Sequence, residues 1–77
     1  MKIYLLGGYH NLYTENYAYD ELSLKKLFLK ENSAPYGREY LKDSIKVDFI
    51  NHEITIEVEC CDAIDIETYP FISIEMI

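Results

Sequence analysis

"SIKVDFINHEITIEVECC", residues 44–61, alternates apolar and polar side chains on both sides of Asn51-His52, and that period predicts a β-hairpin. With Asn51-His52 as a two-residue turn, Phe49 faces Ile54, Val47 faces Ile56 and Ile45 faces Val58. These three apolar pairs form one buried face. The alternate positions pair Ile50 with Glu53, Asp48 with Thr55, Lys46 with Glu57 and Ser44 with Glu59. The second face thus carries four acids, one lysine and one apolar side chain. A slip of one residue would turn the apolar set into water, which pins the pairing. Asn suits the left-handed backbone of a type I′ turn, whereas His in the second place is less usual than Gly.

Outward from the hairpin, residues 2–6, "KIYLL", form a short apolar run ended by Gly7-Gly8, the pattern of a buried strand. "YHNLYTENYAY" has no clear period and reads as loop with room for a helical turn. From Asp20, "DELSLKKLFLKEN" supplies an N-cap acid, Glu21 in the first turn, and Leu24, Leu27 and Phe28 on one face; a helix over 20–31 follows. Leu22 and Leu29 lie off that face and either widen the stripe or form an exposed flank; "LSLKKLFLK" also admits a strand pattern. "NSAPYGREYLKDS" reads as a connector with a short turn opened by Pro35 that sets Tyr36 and Tyr40 on one side. "DAIDIETYP" turns the chain, and "FISIEMI" reads as a last strand burying Ile72, Ile74 and Met76.

The order strand, helix, strand, strand, strand predicts a single α+β domain over 1–77. It is a small two-layer sandwich, one helix packed on a three- or four-stranded, mostly antiparallel sheet. The helix covers the face bearing Val47 and Ile56 and leaves the acidic face to water. The position of the first strand stays open, since it can pair with either end of the meander. At 77 residues such a domain buries roughly 60% of its unfolded surface, so function is expected on a surface and not in a deep cofactor pocket. No cofactor is expected. No apolar run approaches the roughly 20 residues of a membrane span, and "MKIYLLGGYH" is too weakly charged and too short in apolar residues for a signal peptide. The expected location is the cytoplasm.

Charge is unevenly placed along the chain. Residues 1–46 hold all seven basic residues and six acids, net +1, whereas residues 47–77 hold Asp48, Glu53, Glu57, Glu59, Asp62, Asp65, Glu67 and Glu75 with no Lys or Arg, net −8. One reading is that these acids keep the sheet in solution and guard its edges against pairing. The other is a partner-binding array of Asp48, Glu53, Glu57, Glu59, Asp62, Asp65 and Glu67, facing a basic protein surface such as the nucleic-acid-binding groove of a nuclease or effector. Direct binding of DNA or RNA is disfavoured, because phosphate contact needs clustered Lys and Arg.

Eight tyrosines and no Trp are the second departure from ordinary composition. Tyr9, Tyr13 and Tyr17 recur every four residues, and Tyr13 and Tyr17 join the candidate partner-binding set as amphipathic anchors. The competing reading has the rings padding a thin core with their hydroxyls reaching water.

Catalytic and metal-binding patterns are missing. Cys60 and Cys61 sit next to each other on a strand, where they are expected to point opposite ways, Cys60 into the core and Cys61 outward. No zinc-type spacing links them to His10 or His52. His52 at the turn is about 27 Å of strand away from the cysteines, which argues against a Cys-His nucleophile pair. The glycine pair before Tyr9-His10 lacks the remainder of any phosphate-binding motif. The chain is therefore read as a non-enzyme. In size, acidity and lack of a catalytic motif it resembles, in composition, the small phage-encoded inhibitors of host defence nucleases, among them anti-CRISPR and anti-restriction proteins. That resemblance implies an inhibitor or nucleic-acid mimic. The alternatives are an immunity or antitoxin-like protein that neutralises a toxin, or a homodimerising structural subunit.

Overall fold

The computed structural model describes residues 1–7 and 17–75. Five elements follow in the order β1 (Lys2–Leu6), α1 (Glu21–Glu31), β2 (Glu39–Asp48), β3 (Glu53–Cys60) and β4 (Ala63–Glu75). The strands form one four-stranded antiparallel sheet, spatial order β1-β4-β3-β2. The open question of β1 is thus resolved at the β4 end of the meander. One helix on an antiparallel sheet in the order β-α-β-β-β is the small α+β fold expected from the sequence.

α1 starts at Asp20, whose carboxylate accepts the Ser23 N–H (2.8 Å), while Ser23 Oγ accepts the Asp20 N–H (3.1 Å). This reciprocal cap satisfies two of the N–H groups a helix start leaves open. The helix lays Leu24, Leu27 and Phe28 against Ile45, Ile54, Ile56 and Phe71, with Ala18 completing the cluster. Leu29 packs at its border, and Leu22 stays exposed. Phe28 meets the rings of Tyr40 (centroids 5.7 Å apart) and Tyr69 (4.9 Å, edge-on).

The central hairpin keeps its expected faces but not its expected partners. Residues 49–52 form a four-residue loop, so Asp48 pairs with Glu53, Val47 with Ile54 and Lys46 with Thr55. The register moves by two residues, an even number, so the side chains that remain in the strands keep their assigned faces. Phe49 and Ile50 leave the strand: Phe49 packs beside Tyr4 and Phe71 (5.3 and 5.9 Å), and Ile50 is 92% exposed. The turn with two left-handed residues lies instead at Cys61 (φ 51°) and Asp62 (φ 66°), joining the Cys60–Ala63 pair. That turn also corrects the cysteine reading. Cys61 has left the strand, and its Sγ lies 3.5 Å from the Cys60 Sγ on the same side.

β2 is longer than the sequence suggests because it is bulged. Leu41 pairs with Glu57 and Lys46 with Thr55, so Lys42, Asp43, Ser44 and Ile45 stand against Ile56 alone. Ser44 fixes this bulge: its Oγ accepts the Glu57 N–H (2.8 Å) and donates to the Leu41 carbonyl. The connector before it ends in a turn with Gly37 at φ 80°, closed by Arg38 N–H to Pro35 C=O (2.9 Å). Tyr36 is fully exposed there while Tyr40 turns to the core, so the two do not share a side.

Of "DAIDIETYP", read from sequence as a turn, only Asp62 lies in the turn, and β4 runs unbroken through the rest. Phe71 is its buried residue; Ile72 and Ile74 are half-buried, and Met76 lies outside the described residues. The Tyr9/Tyr13 stack and the His10 reading also lie outside them.

Candidate functional site

Register partners share a face, so the pairings define the outer side of the sheet in four rows across β2, β3 and β4. The rows are Asp48–Glu53–Pro70, Lys46–Thr55–Thr68, Leu41–Glu57–Ile66 and Glu39–Glu59–Ile64. Glu53, Glu57 and Glu59 therefore stand on one side of one strand, with Glu57 and Glu59 about 6.6–6.8 Å apart along it. Glu39 lies directly opposite Glu59. Lys46 is the sole basic residue in these rows. Beside the bulge a shallow hollow of about 250 Å³ is lined by Ser44, Lys46, Thr55, Ile56, Glu57 and Ile66.

Asp48 belongs to this face by register, but its carboxylate serves the loop. It accepts the N–H groups of Ile50 (2.9 Å) and Asn51 (3.0 Å) and the Asn51 side-chain amide (2.8 Å). Those bonds, led by the Asn51 N–H, hold its carboxyl below the usual carboxylate range.

Asp65 and Glu67 face the other way. They pair with Val58 and Ile56 and thus lie on the helix side, beyond the cover of α1. Arg38 Nη1 stands 3.9 Å from a carboxylate oxygen of each. Glu67 also accepts the Tyr69 hydroxyl, which lies 3.0 Å from the Tyr40 hydroxyl. Burial, then these bonds, push the Tyr69 phenol well above its ordinary value. Asp62 sits in the hairpin tip beside Cys61, whose thiol is raised by the bond from Cys60. Tyr17 is exposed at the far end of the sheet, edge-on to Tyr19 (5.7 Å) and next to Ala18, which bridges to Tyr4. Tyr13 lies outside the described residues.

The acids named from sequence thus fall into three groups: Glu53, Glu57 and Glu59 with Asp48 on the outer face, Asp62 at the tip, and Asp65 with Glu67 on the helix side. Sequence reading missed Glu39, whose face is set by the bulge, and missed Ile64 and Ile66, which are 58% and 69% exposed beside the glutamates. Among the described residues no three His, Cys, Asp or Glu side chains converge as a metal site would require, and no helix is long and apolar enough to cross a membrane. No protein-family model, curated protein or solved structure matches this chain.

Proposed function

We propose that this protein is a small non-enzymatic inhibitor or adaptor whose acidic outer sheet face docks on a basic protein surface of the kind that holds nucleic acid. The observation that supports it is the row of Glu53, Glu57 and Glu59 on one strand face, with Glu39 opposite Glu59 and Lys46 as the one opposing charge. A sheet holds these carboxylates at fixed spacing without ordering cost on binding, and complementary charge speeds encounter with a positive groove. The same charge repels nucleic acid itself. The resemblance in composition to phage-encoded inhibitors of defence nucleases gives the partner class: a nuclease or effector with a basic channel.

The test is capture of partners from a bacterial lysate on the immobilised protein, with and without added duplex DNA. Loss of the captured protein when DNA is added supports occupancy of a nucleic-acid groove. A partner retained undiminished at saturating DNA excludes it.

A further inference from the structure

Among the described residues no strand pairs with the Ile64–Thr68 stretch of one β4 edge, and its chemistry specifies what fits there. Phe71 N–H donates to His52 C=O (3.0 Å), so the odd-numbered residues of β4 direct their backbone groups toward β3. The even-numbered ones direct theirs to the opposite edge. On that edge β1 pairs only with Phe71–Glu75, and Gly7 N–H reaches Pro70 C=O (3.4 Å). Ile64, Ile66 and Thr68 therefore present their N–H and C=O groups to no strand among the described residues. Pro70 closes this stretch at one end, its missing N–H lying where an edge tolerates it, and the Cys61-Asp62 turn closes the other.

We infer that the Ile64–Thr68 edge is a strand-addition site for an extended segment of another protein whose side chains alternate apolar and basic. Main-chain bonds to Ile64, Ile66 and Thr68 supply the pairing, and the side chains supply the choice of partner. Residues of the added strand opposite Ile64 and Ile66 lie on the outer face beside those exposed isoleucines, so they are apolar. Residues opposite Asp65 and Glu67 lie on the helix side. There the single charge of Arg38, 3.9 Å from both carboxylates, leaves one of the two negative charges unbalanced, and the Asp65 side chain remains 64% exposed. A Lys or Arg fits beside them; an acid does not. A second copy pairing β4 to β4 would set these same acids against each other, which disfavours self-association.

This site uses different acids from the outer face, so the two can fail separately. The test is amide hydrogen exchange on the full chain with a peptide of alternating Val and Lys, and with its Glu-for-Lys counterpart. Exchange at Ile64, Ile66 and Thr68 is expected to be fast in the free protein and to slow at least roughly tenfold with the Lys peptide. Asp65 and Glu67, already bonded to β3, should change little, and the Glu peptide should protect nothing. Ile66→Pro removes a donor that β3 does not use and should abolish protection at Ile64 and Thr68. As a second variant, Asp65→Lys/Glu67→Lys should reverse the preference to the Glu peptide. Shifts confined to Glu53, Glu57 and Glu59 without edge protection would mean ionic adsorption on the outer face and overturn strand addition, leaving the groove reading standing. Protection of the edge without peptide, together with a dimer on sizing chromatography, would give the edge to a second copy and overturn it equally. Conversely, edge protection alongside partner capture that DNA does not disturb would uphold the strand site and remove the groove.

Discussion

The Asp48 carboxylate accepts three hydrogen bonds from the loop it opens, and Asp20 accepts the Ser23 N–H at the start of α1. Both carboxyls are lowered from their ordinary 3.8, Asp20 chiefly by that Ser23 bond and Asp48 by Asn51. A carboxylate whose folded pKa is depressed adds stability that is complete above the unfolded value and disappears as the pH falls through the folded one. Asp20→Ala/Asp48→Ala should therefore have a lower Tm than wild type at about pH 7, and the gap should narrow by about pH 3. Thermal unfolding of both proteins at the two pH values measures it; a constant gap would mean that the charged form plays no part. Tyr69 works in the opposite direction. Its raised phenol stays protonated while the unfolded chain ionises, so its contribution is complete below the ordinary value of 10 and is lost as pH rises through the folded one. Tyr69→Phe leaves Glu67 without that donor and Tyr40 without a partner hydroxyl, at a cost of about 1 kcal/mol in denaturant unfolding at neutral pH.

Elements of this size depend on single contacts. A 77-residue domain has about 4–12 kcal/mol of stability in total, and Phe28→Ala, which empties the space between Tyr40, Tyr69 and the sheet, costs about 3–5. Circular dichroism should show the variant largely unfolded or melting far below wild type. The β3–β4 turn predicts the opposite sign. Cys61 and Asp62 both hold positive φ, a conformation that Asn-Gly adopts with less strain. Cys61→Asn/Asp62→Gly should raise Tm, and an unchanged or lower Tm would show that the Cys60–Cys61 contact outweighs the strain. α1 was legible because Asp20, Leu24, Leu27 and Phe28 act within one helix. The hairpin faces were legible because parity survives a two-residue shift; the partners were not, since nothing in "DFINHE" distinguishes a two-residue from a four-residue loop. The bulge at Lys42–Ile45 hid the start of β2, because it lets Tyr40 and Ile45 both face inward at odd spacing. β4 was hidden by inversion: Asp65 and Glu67 lie on the helix side beside Arg38, 27 and 29 positions earlier in the chain, while Ile64 and Ile66 face water. Of the candidate site, Glu53, Glu57 and Glu59 followed from parity alone, and Glu39 required the bulge.

At the scale of the molecule, the protein is extended, 47 × 22 × 17 Å with a radius of gyration of 13.0 Å, against about 11.5 Å for a compact chain of this length. The sheet end carrying Cys61–Ile66 is exposed throughout and holds Asp62 and Asp65, while Glu53, Glu57 and Glu59 stand on the outer face, away from α1. Glu57 and Glu59 stand about 6.6–6.8 Å apart along β3, Glu39 and Asp48 lie across from Glu59 and Glu53, and the Debye length is about 10 Å at 0.1 M salt and 3 Å at 1 M. The outer glutamates therefore repel one another at ordinary ionic strength and less at high salt. Glu53→Gln/Glu57→Gln/Glu59→Gln keeps side-chain shape, spares the loop-holding Asp48, and removes three charges. Its Tm should exceed that of wild type at low salt, and the two should converge as salt is added. Binding should move the other way. If these carboxylates meet Lys or Arg across an interface, the variant should associate more slowly at low salt and show a shallower salt dependence, because peripheral charges act mainly through steering. Removing as many charges from the balanced half, by Glu15→Gln/Glu21→Gln/Glu31→Gln, should alter association far less. A sheet variant that gains stability yet binds as fast as wild type at matched low ionic strength would assign the glutamates to solubility and edge protection. Gain of stability with loss of association rate would show repulsion retained in the free protein because a partner neutralises it.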